Sequence, residues 1–339
     1  MLRLPSFRVE TPRTVDAAVS LLERHGGRAM IVAGGTDLLP NMKHELFTPE
    51  VVVSLHEIPG LEGVREQADG TLVIGAMTRL DAVAAHPLVE ERAPVLAQAT
   101  GLVAGPQLRR MGTLGGNVML DTRCQWYNQT YFWRHALGFC LKKDGTLCHV
   151  VAGGKNCVAA ASNDGAPALM TLGATLVFQG PAGGREVSIG DLWLSDGIHN
   201  KKVRGEILTE IRVPRPHPGH RGAYGKLRER GSIDFPLFGV AVRLDLGGDG
   251  SVEDADVCAV ALQARPVRVK GVVDLLRGTR PGTQAFGDAV ERCAERAAKQ
   301  CRPLDNVPGD AAYRHAMVPV YTRRTLLAAA AGEGPVHHL

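Results

Sequence analysis

Four of the seven cysteines in this chain lie in one stretch that is broken by glycines. They are Cys124, Cys140, Cys148 and Cys157, with 15, 7 and 8 residues between successive members. Four thiolates in one segment can hold an iron–sulfur cluster or a structural zinc ion. The segment is therefore expected to fold around a metal centre. The spacing is not that of a ferredoxin, so spacing alone leaves the choice between iron and zinc open.

The other three cysteines are dispersed, and two of them fall on core patterns. Cys258 lies in an apolar run and Cys293 on a helical pattern, so both are predicted to be buried. The N-terminus has no signal-peptide core, and no apolar run approaches the roughly 18 residues that a membrane helix needs. We expect a cytoplasmic protein that does not bind membranes. Thiols stay reduced in that compartment, so no disulfide framework is expected.

Composition sets further limits. A chain of 339 residues is long enough for two or three domains. Its net charge of +4 is spread without a long basic run, and aromatic residues make up only 5%, so a nucleic-acid partner is not expected. The tract Arg221–Arg230 holds four basic residues around one acid, and we interpret it as a solvated face.

The first region, residues 1–57, has the pattern of an α/β unit. A helix is predicted to begin after Thr14 and to end at Gly26. A strand over 28–33, a glycine turn, a short helix over 38–43 and a buried strand over 51–55 follow. Strand, turn, helix and strand make a parallel unit, and open α/β sheets bind ligands at the carboxyl ends of such strands.

Two further regions are predicted, over 58–215 and 220–330, with an insert at about 118–163 inside the first of them. The later region has the order of an α+β domain, an antiparallel sheet followed by helices. The tail, Gly332 to Leu339, is expected to fray. The predicted elements are strands at 72–76, 175–178, 206–213, 238–246 and 255–264, and helices at 79–86, 284–300 and 310–331. Residues 93–104 form a further apolar-rich segment.

Two glycine segments are candidate phosphate sites. Gly34-Gly35-Thr36 follows the predicted strand, and Thr113-Leu-Gly-Gly-Asn117 precedes the cysteines. Neither fits the dinucleotide pattern G-x-G-x-x-G. Adjacent glycines can nevertheless expose backbone N–H groups to a pyrophosphate. Two such turns could hold one extended ligand from two subdomains, although a purely structural turn is an equal interpretation of the first.

The same segments resemble the flavin-binding subunit of the xanthine oxidase family. The resemblance covers residues 31–38, 107–117, 164–167, 206–214 and 224–230. It implies the two-subdomain FAD-binding fold of the vanillyl-alcohol-oxidase/xanthine-oxidase flavin type, followed by a C-terminal α+β domain. It also implies an FAD site formed by Ile31, Val32, Ala33, Gly34, Gly35, Thr36, Asp37, Leu38, Thr113, Gly115, Gly116, Asn117, Asp164 and Lys226.

The insert is where this chain departs from the usual family pattern. In most members only a few residues separate the Gly-Gly-Asn and Asp-x-x-Pro segments, whereas here residues 118–163 intervene. A member that reduces an aromatic thioester carries a [4Fe-4S] cluster in such an insert, and its cysteine spacing is similar. The resemblance therefore implies a cluster on the four cysteines. Trp126, Tyr127, Phe132 and Trp133 are expected to shield it, and His135 and His149 to lie outside the ligand set.

Partners and role follow from the same resemblance. It implies an oxidoreductase subunit that works with a molybdopterin subunit and a small [2Fe-2S] subunit, in a heterohexamer with two copies of each of three chain types. A ferredoxin is implied as the electron donor. No residue of this chain is assigned to substrate catalysis. The alternatives are a zinc-stapled scaffold and a self-sufficient FAD dehydrogenase.

Overall fold

The computed structural model describes residues 2–337. Its first part is a small parallel sheet with the strand order β1-β3-β2. Thr14 caps the first helix by accepting a hydrogen bond from the Ala17 amide, and Gly26 ends that helix with positive φ. The elements are β1 (Arg8–Glu10), α1 (Val15–His25), β2 (Ala29–Val32), α2 (Leu38–Lys43) and β3 (Val51–Ser54).

The second part is a five-stranded antiparallel sheet with the order β4-β5-β8-β6-β7. Its helices pack on one another and on the sheet to form the largest core cluster. The elements are β4 (Val64–Glu66), β5 (Leu72–Gly75), α3 (Leu80–Ala84), α4 (Pro87–Arg92), α5 (Pro94–Gly101), α6 (Pro106–Arg109), α7 (Leu114–Val118), α8 (Tyr131–Ala136), α9 (Gly165–Thr171), β6 (Thr175–Gly180), β7 (Gly183–Ser188) and β8 (Ile207–Val213).

The third part is a four-stranded antiparallel sheet, ordered β12-β11-β10-β9, with two long helices against it. The helix α9 packs on β10 and β11, and α5 packs on β9, so the second and third parts share an interface. The elements are β9 (His220–Leu227), β10 (Phe238–Leu246), β11 (Val252–Val260), β12 (Val267–Arg268), α10 (Val272–Leu276), α11 (Gln284–Gln300) and α12 (Ala311–Ala331).

Two local predictions are wrong. The tract Arg221–Arg230 is not a solvated face, because Ala223 to Leu227 are buried within β9. The tail is not frayed as far as Val336, whose amide and carbonyl pair with the backbones of Tyr224 and Lys226. Both errors have one cause. The tract forms the strand β9, and the tail pairs with the edge of that strand, so each is held in place by the other. Within residues 2–337, no helix is both long enough and apolar enough to span a bilayer.

Candidate cofactor sites

A row of unpaired backbone donors lies between β2 and α2. The amides of residues 34–38 donate to no group in the described part of the chain. Gly35 has a φ of 70°, a left-handed conformation that glycine adopts without strain. Consecutive amides exposed in this way form a concave donor set for an anion such as a pyrophosphate. The first glycine segment therefore fits the group that the sequence predicts for it.

The backbone that leads into the second glycine segment, at Met111 and Gly112, packs directly against the first segment. A side chain on Gly34 would place its Cβ 1.9 Å from the carbonyl oxygen of Met111, so only glycine fits there. A Cβ on Gly112 would lie 3.4 Å from the Thr36 hydroxyl. The two segments, far apart in sequence, thus lie side by side, and their holding one ligand between them stays a prediction.

The amides of residues 114–117 in the second segment are not available as donors, contrary to our interpretation of it as an open turn. This segment begins the helix α7, and the Thr113 hydroxyl caps it by accepting a hydrogen bond from the Gly116 amide at 3.0 Å. The Gly115 amide binds the Ala76 carbonyl, and the Asn117 side chain accepts from the Gly165 amide. Glycine is needed at 115 because a Cβ would lie 2.6 Å from the Ala76 carbonyl oxygen.

Asp164 and Lys226, both predicted to bind FAD, form a buried ion pair. The Lys226 ammonium lies 2.9 Å from the Asp164 carboxylate and also donates to the Leu102 carbonyl at 2.8 Å. The Tyr224 hydroxyl donates to the other carboxylate oxygen at 2.8 Å. Burial raises the pKa of Asp164 and lowers that of Lys226, although each opposes the shift of the other. The pair joins α9 to β9, and its contact with FAD remains a prediction.

Arg123 is a site residue that the sequence analysis missed. Its guanidinium forms an ion pair with Asp37, donates to Asn41 at 3.2 Å and lies 5.2 Å from the centre of the Phe235 ring. Burial lowers its pKa to about 10. Arg123 immediately precedes Cys124, so it connects the donor row to the cysteine segment. Its position beside the first cysteine was the only signal in the sequence.

All four clustered cysteines line one cavity, which has an empty volume of about 280 Å³ including the part open to solvent. Three of them are buried and Cys148 is half-buried. Within residues 2–337, no three His, Cys, Asp or Glu side chains are grouped closely enough to bind a single metal ion. Burial raises the pKa of the Cys124 thiol to about 11, so metal binding there must displace a proton.

The walls of this cavity differ in part from those predicted. Trp126 and Tyr127 line it, but Phe132 and Trp133 are 76% and 57% exposed and do not shield it. They lie on α8, whose N-cap is Thr130, and this six-residue helix is the only one in the insert, which the structure describes completely. His149 lines the cavity, and its Nε2 lies 2.6 Å from the Phe139 carbonyl oxygen.

The insert is fixed to the first part of the chain by a buried arginine. The Arg134 side chain is almost fully enclosed and donates to the carbonyls of Glu45 at 3.0 Å and Gln129 at 3.3 Å. It also lies 3.4 Å from the Asp144 carboxylate. Because Glu45 follows α2, this arginine holds the cysteine segment beside the helix that the donor row precedes.

Two family models together match most of the chain. The model described as the FAD binding domain in molybdopterin dehydrogenase matches residues 5–216. The model described as the CO dehydrogenase flavoprotein C-terminal domain matches residues 223–329. The first match alone covers more than half of the chain.

Curated relatives and solved structures agree with these models. The chain is 31% identical to the carbon monoxide dehydrogenase medium chain of Hydrogenophaga pseudoflava, covering 96% of this chain and 97% of the relative. It is 27% identical to the nicotine 6-hydroxylase medium subunit of Paenarthrobacter nicotinovorans, covering 97% and 99%. A solved structure of the Hydrogenophaga pseudoflava carbon monoxide dehydrogenase aligns with a TM-score of 0.79 at 29% identity, covering 98% of this chain and 100% of that chain. Fold and sequence together place the chain in the family of FAD-binding medium subunits of molybdenum hydroxylases, within the xanthine oxidase family.

Proposed function

We propose that this chain is the FAD and [4Fe-4S] electron-transfer subunit of a molybdenum-containing 4-hydroxybenzoyl-CoA reductase. Such a complex removes the phenolic hydroxyl of an aromatic thioester to give benzoyl-CoA, a reaction of anaerobic aromatic degradation. The observation that carries the proposal is the cavity lined by Cys124, Cys140, Cys148 and Cys157. A [4Fe-4S] cluster takes four cysteine thiolates as ligands around a volume rather than at one point. The cavity thus supports a cluster more than a single zinc ion.

The two groups would be held by separate parts of the chain. The free amides of residues 34–38 would bind the FAD pyrophosphate, with Thr113 and Asn117 on the facing wall of the cradle. When bound, FAD and the cluster would each accept and donate electrons one at a time. The residues of this chain bind these groups, exclude water from them and balance their charge. Substrate chemistry would take place in another subunit.

The partners in the proposal come from the family. The relatives are named as medium chains or medium subunits, which supports a place in an assembly with a molybdopterin subunit and a [2Fe-2S] subunit. We infer two copies of each of the three chain types, with a ferredoxin as the donor. The insert favours the aromatic-thioester reductase over the activities named for the relatives, which are oxidation of carbon monoxide and hydroxylation of nicotine.

Metal and sulfide analysis of the anaerobically purified chain tests the cluster. We expect iron with acid-labile sulfide and no stoichiometric zinc. Cys124→Ser or Cys157→Ser should lose iron while FAD stays bound, because neither cysteine belongs to the row of free amides at residues 34–38. Cys293→Ser is the matched control, since Cys293 is also buried but lies in α11. Stoichiometric zinc without sulfide, or a full iron complement in every cavity variant, would contradict the assignment.

Co-purification and substrate tests address the complex. A tagged chain should retain a molybdopterin subunit and a [2Fe-2S] subunit that mass spectrometry identifies. The complex should reduce 4-hydroxybenzoyl-CoA with reduced ferredoxin. Full reductase activity from this chain alone, or turnover of carbon monoxide with none of the thioester, would rule out the proposed role.

A further inference from the structure

A buried ammonium group lies in the wall of the cysteine cavity. Lys142 lines that cavity and its side chain is only 6% exposed. Its Nζ donates to Asp121 Oδ1 at 3.0 Å, to Thr122 Oγ1 at 2.8 Å and to the Gly197 carbonyl at 2.6 Å. An ammonium has three protons, so all its donors are satisfied and its position is fixed.

The acceptors of Lys142 are themselves tied to the cysteines. The Gly197 amide donates to the Cys157 carbonyl at 2.8 Å, and a Cβ on Gly197 would lie 2.8 Å from the Cys157 sulfur. Thr122 donates its hydroxyl to the same Gly197 carbonyl at 2.7 Å. The ammonium therefore approaches the cysteine ligands through a rigid network and not on a mobile side chain. Its charge lowers the pKa of the Cys157 thiol, in opposition to burial.

Two lysines and two aspartates surround this network, so their formal charges balance. Lys202 donates to the carbonyls of Met119 and Leu120 at 2.8 and 3.1 Å, and its charge interacts with those of Asp121 and Lys142. Asp121 is the acid that faces both lysines. Asp196 is the second acid, and its charge raises the pKa of Cys157. The fixed cation that lines the cavity itself is Lys142.

We propose, building on the function proposed above, that Lys142 is the internal counter-charge of the cluster site and raises the reduction potential of the [4Fe-4S] group. A cubane with four thiolate ligands carries net negative charge, and one-electron reduction adds another negative charge. A cation held beside it in a medium of low dielectric constant stabilises the reduced form more than the oxidised form. Charge and hydrogen bonding around cluster ligands are established means of setting such potentials.

A purely structural role predicts a different result. If Lys142 only held Thr122 and Gly197 in place, then Lys142→Met would lower the melting temperature or the iron content. The potential of the clusters that still formed would stay the same. The midpoint potential is therefore the quantity that separates the two roles, and it is measured without turnover.

Redox titration of the anaerobically purified chain, followed by electron paramagnetic resonance, provides the test. Dithionite supplies the single electron taken up by each cluster. Lys142→Met should shift the midpoint potential to a more negative value, and Lys142→Arg should stay close to wild type. Lys143→Met is the matched control, because Lys143 is the next residue and pairs with Asp144 outside the cavity lining. Asp121→Asn removes the opposing charge and should shift the potential in the positive direction.

Each outcome is decisive. An unchanged potential in Lys142→Met with a full iron complement overturns the inference, as does an equal negative shift in Lys143→Met. If Lys142→Met cannot retain iron, Asp121→Asn decides: a positive shift supports the inference, and no shift overturns it. A wild-type chain without iron and sulfide refutes the proposed function itself, so the two failures are distinguishable.

Discussion

The guanidinium of Arg123 forms an ion pair with the carboxylate of Asp37, and this contact joins the donor row to the cysteine segment. Asp37 is the residue that precedes α2, and Arg123 is the residue that precedes Cys124. The backbone of Arg123 also pairs in both directions with Ala160, at 2.7 and 2.6 Å. The first cysteine is thus held between the FAD cradle and the strand-like segment that follows the last cysteine. The two candidate cofactor sites share this one structural element.

Replacing Arg123 with glutamine should weaken both sites together. The variant loses the ion pair with Asp37 and the guanidinium contact with Phe235, while the backbone pairing to Ala160 can remain. We expect FAD to dissociate about tenfold more readily, because breaking a charge-assisted contact of this kind costs about 1–3 kcal/mol. Flavin fluorescence during equilibrium dialysis measures this. Arg110→Gln, in the loop after α6, is the surface control. Unchanged FAD affinity in Arg123→Gln would show that the contact does not support the cradle.

Gly34 and Gly35 are neighbours that should respond differently to alanine. Gly34→Ala forces the chain away from the Met111 backbone and should abolish FAD binding, since backbone cannot yield as a side chain can. Gly35→Ala places a side chain at a φ of 70°, with Leu39 as its nearest neighbour at 3.3 Å, so the cost should be about 1 kcal/mol. FAD content after reconstitution and the melting temperature measure both effects. Equal losses in the two variants would contradict the steric explanation for Gly34.

Local sequence signals predicted the regular elements well. The bounds of α2 and α11 are those expected, and the Thr14 and Gly26 signals place α1 correctly. These helices are specified by capping residues and by the helical spacing of apolar residues, and both signals lie within a few residues of each other in the sequence. Cys258 and Cys293 are buried as predicted, Cys258 from its apolar run and Cys293 from its place in a helical pattern.

Long-range pairing was beyond such reasoning. The helix predicted to stop at Pro87 ends earlier, at Ala84, and Pro87 instead begins α4 with His86 as its cap. The Gly115 amide donates a hydrogen bond to the Ala76 carbonyl, and only folding brings these two residues together. The pairing of Lys226 with Asp164 and of Arg123 with Asp37 likewise depends on contacts between distant segments. Their charges alone did not indicate which partner each would have.

Breaking the ion pair between Lys226 and Asp164 should strongly destabilise the folded chain. Lys226→Met leaves a carboxylate buried with Tyr224 as its remaining partner, and loss of one member of a buried pair typically costs about 3–5 kcal/mol. The double variant Lys226→Met with Asp164→Asn should recover part of that loss, because no buried charge is left. Urea unfolding of the four chains gives the coupling free energy. Additive losses would show that the two side chains do not interact.

Lys202 should give the chain a pH dependence at alkaline pH. Its ammonium end is buried although the residue as a whole is partly exposed, and burial lowers its pKa from an ordinary value of about 10.5 to about 8. Below pH 8 the side chain is charged in both the folded and the unfolded chain, so it contributes no slope there. Between about pH 8 and 10.5 the unfolded chain keeps the proton that the folded chain has lost. Rising pH then favours the folded state.

The difference in free energy of unfolding between wild type and Lys202→Met isolates this effect, because the other groups that titrate at alkaline pH are common to both chains. That difference should move in favour of wild type from pH 8 to pH 10.5, by no more than about 3 kcal/mol. Urea unfolding at pH 7.5 and pH 10 measures it. Lys201→Met is the control, since Lys201 is the exposed neighbour and should show no such trend. A constant difference across this range would mean that Lys202 stays protonated in the folded chain, held by the carbonyls of Met119 and Leu120 and by Asp121.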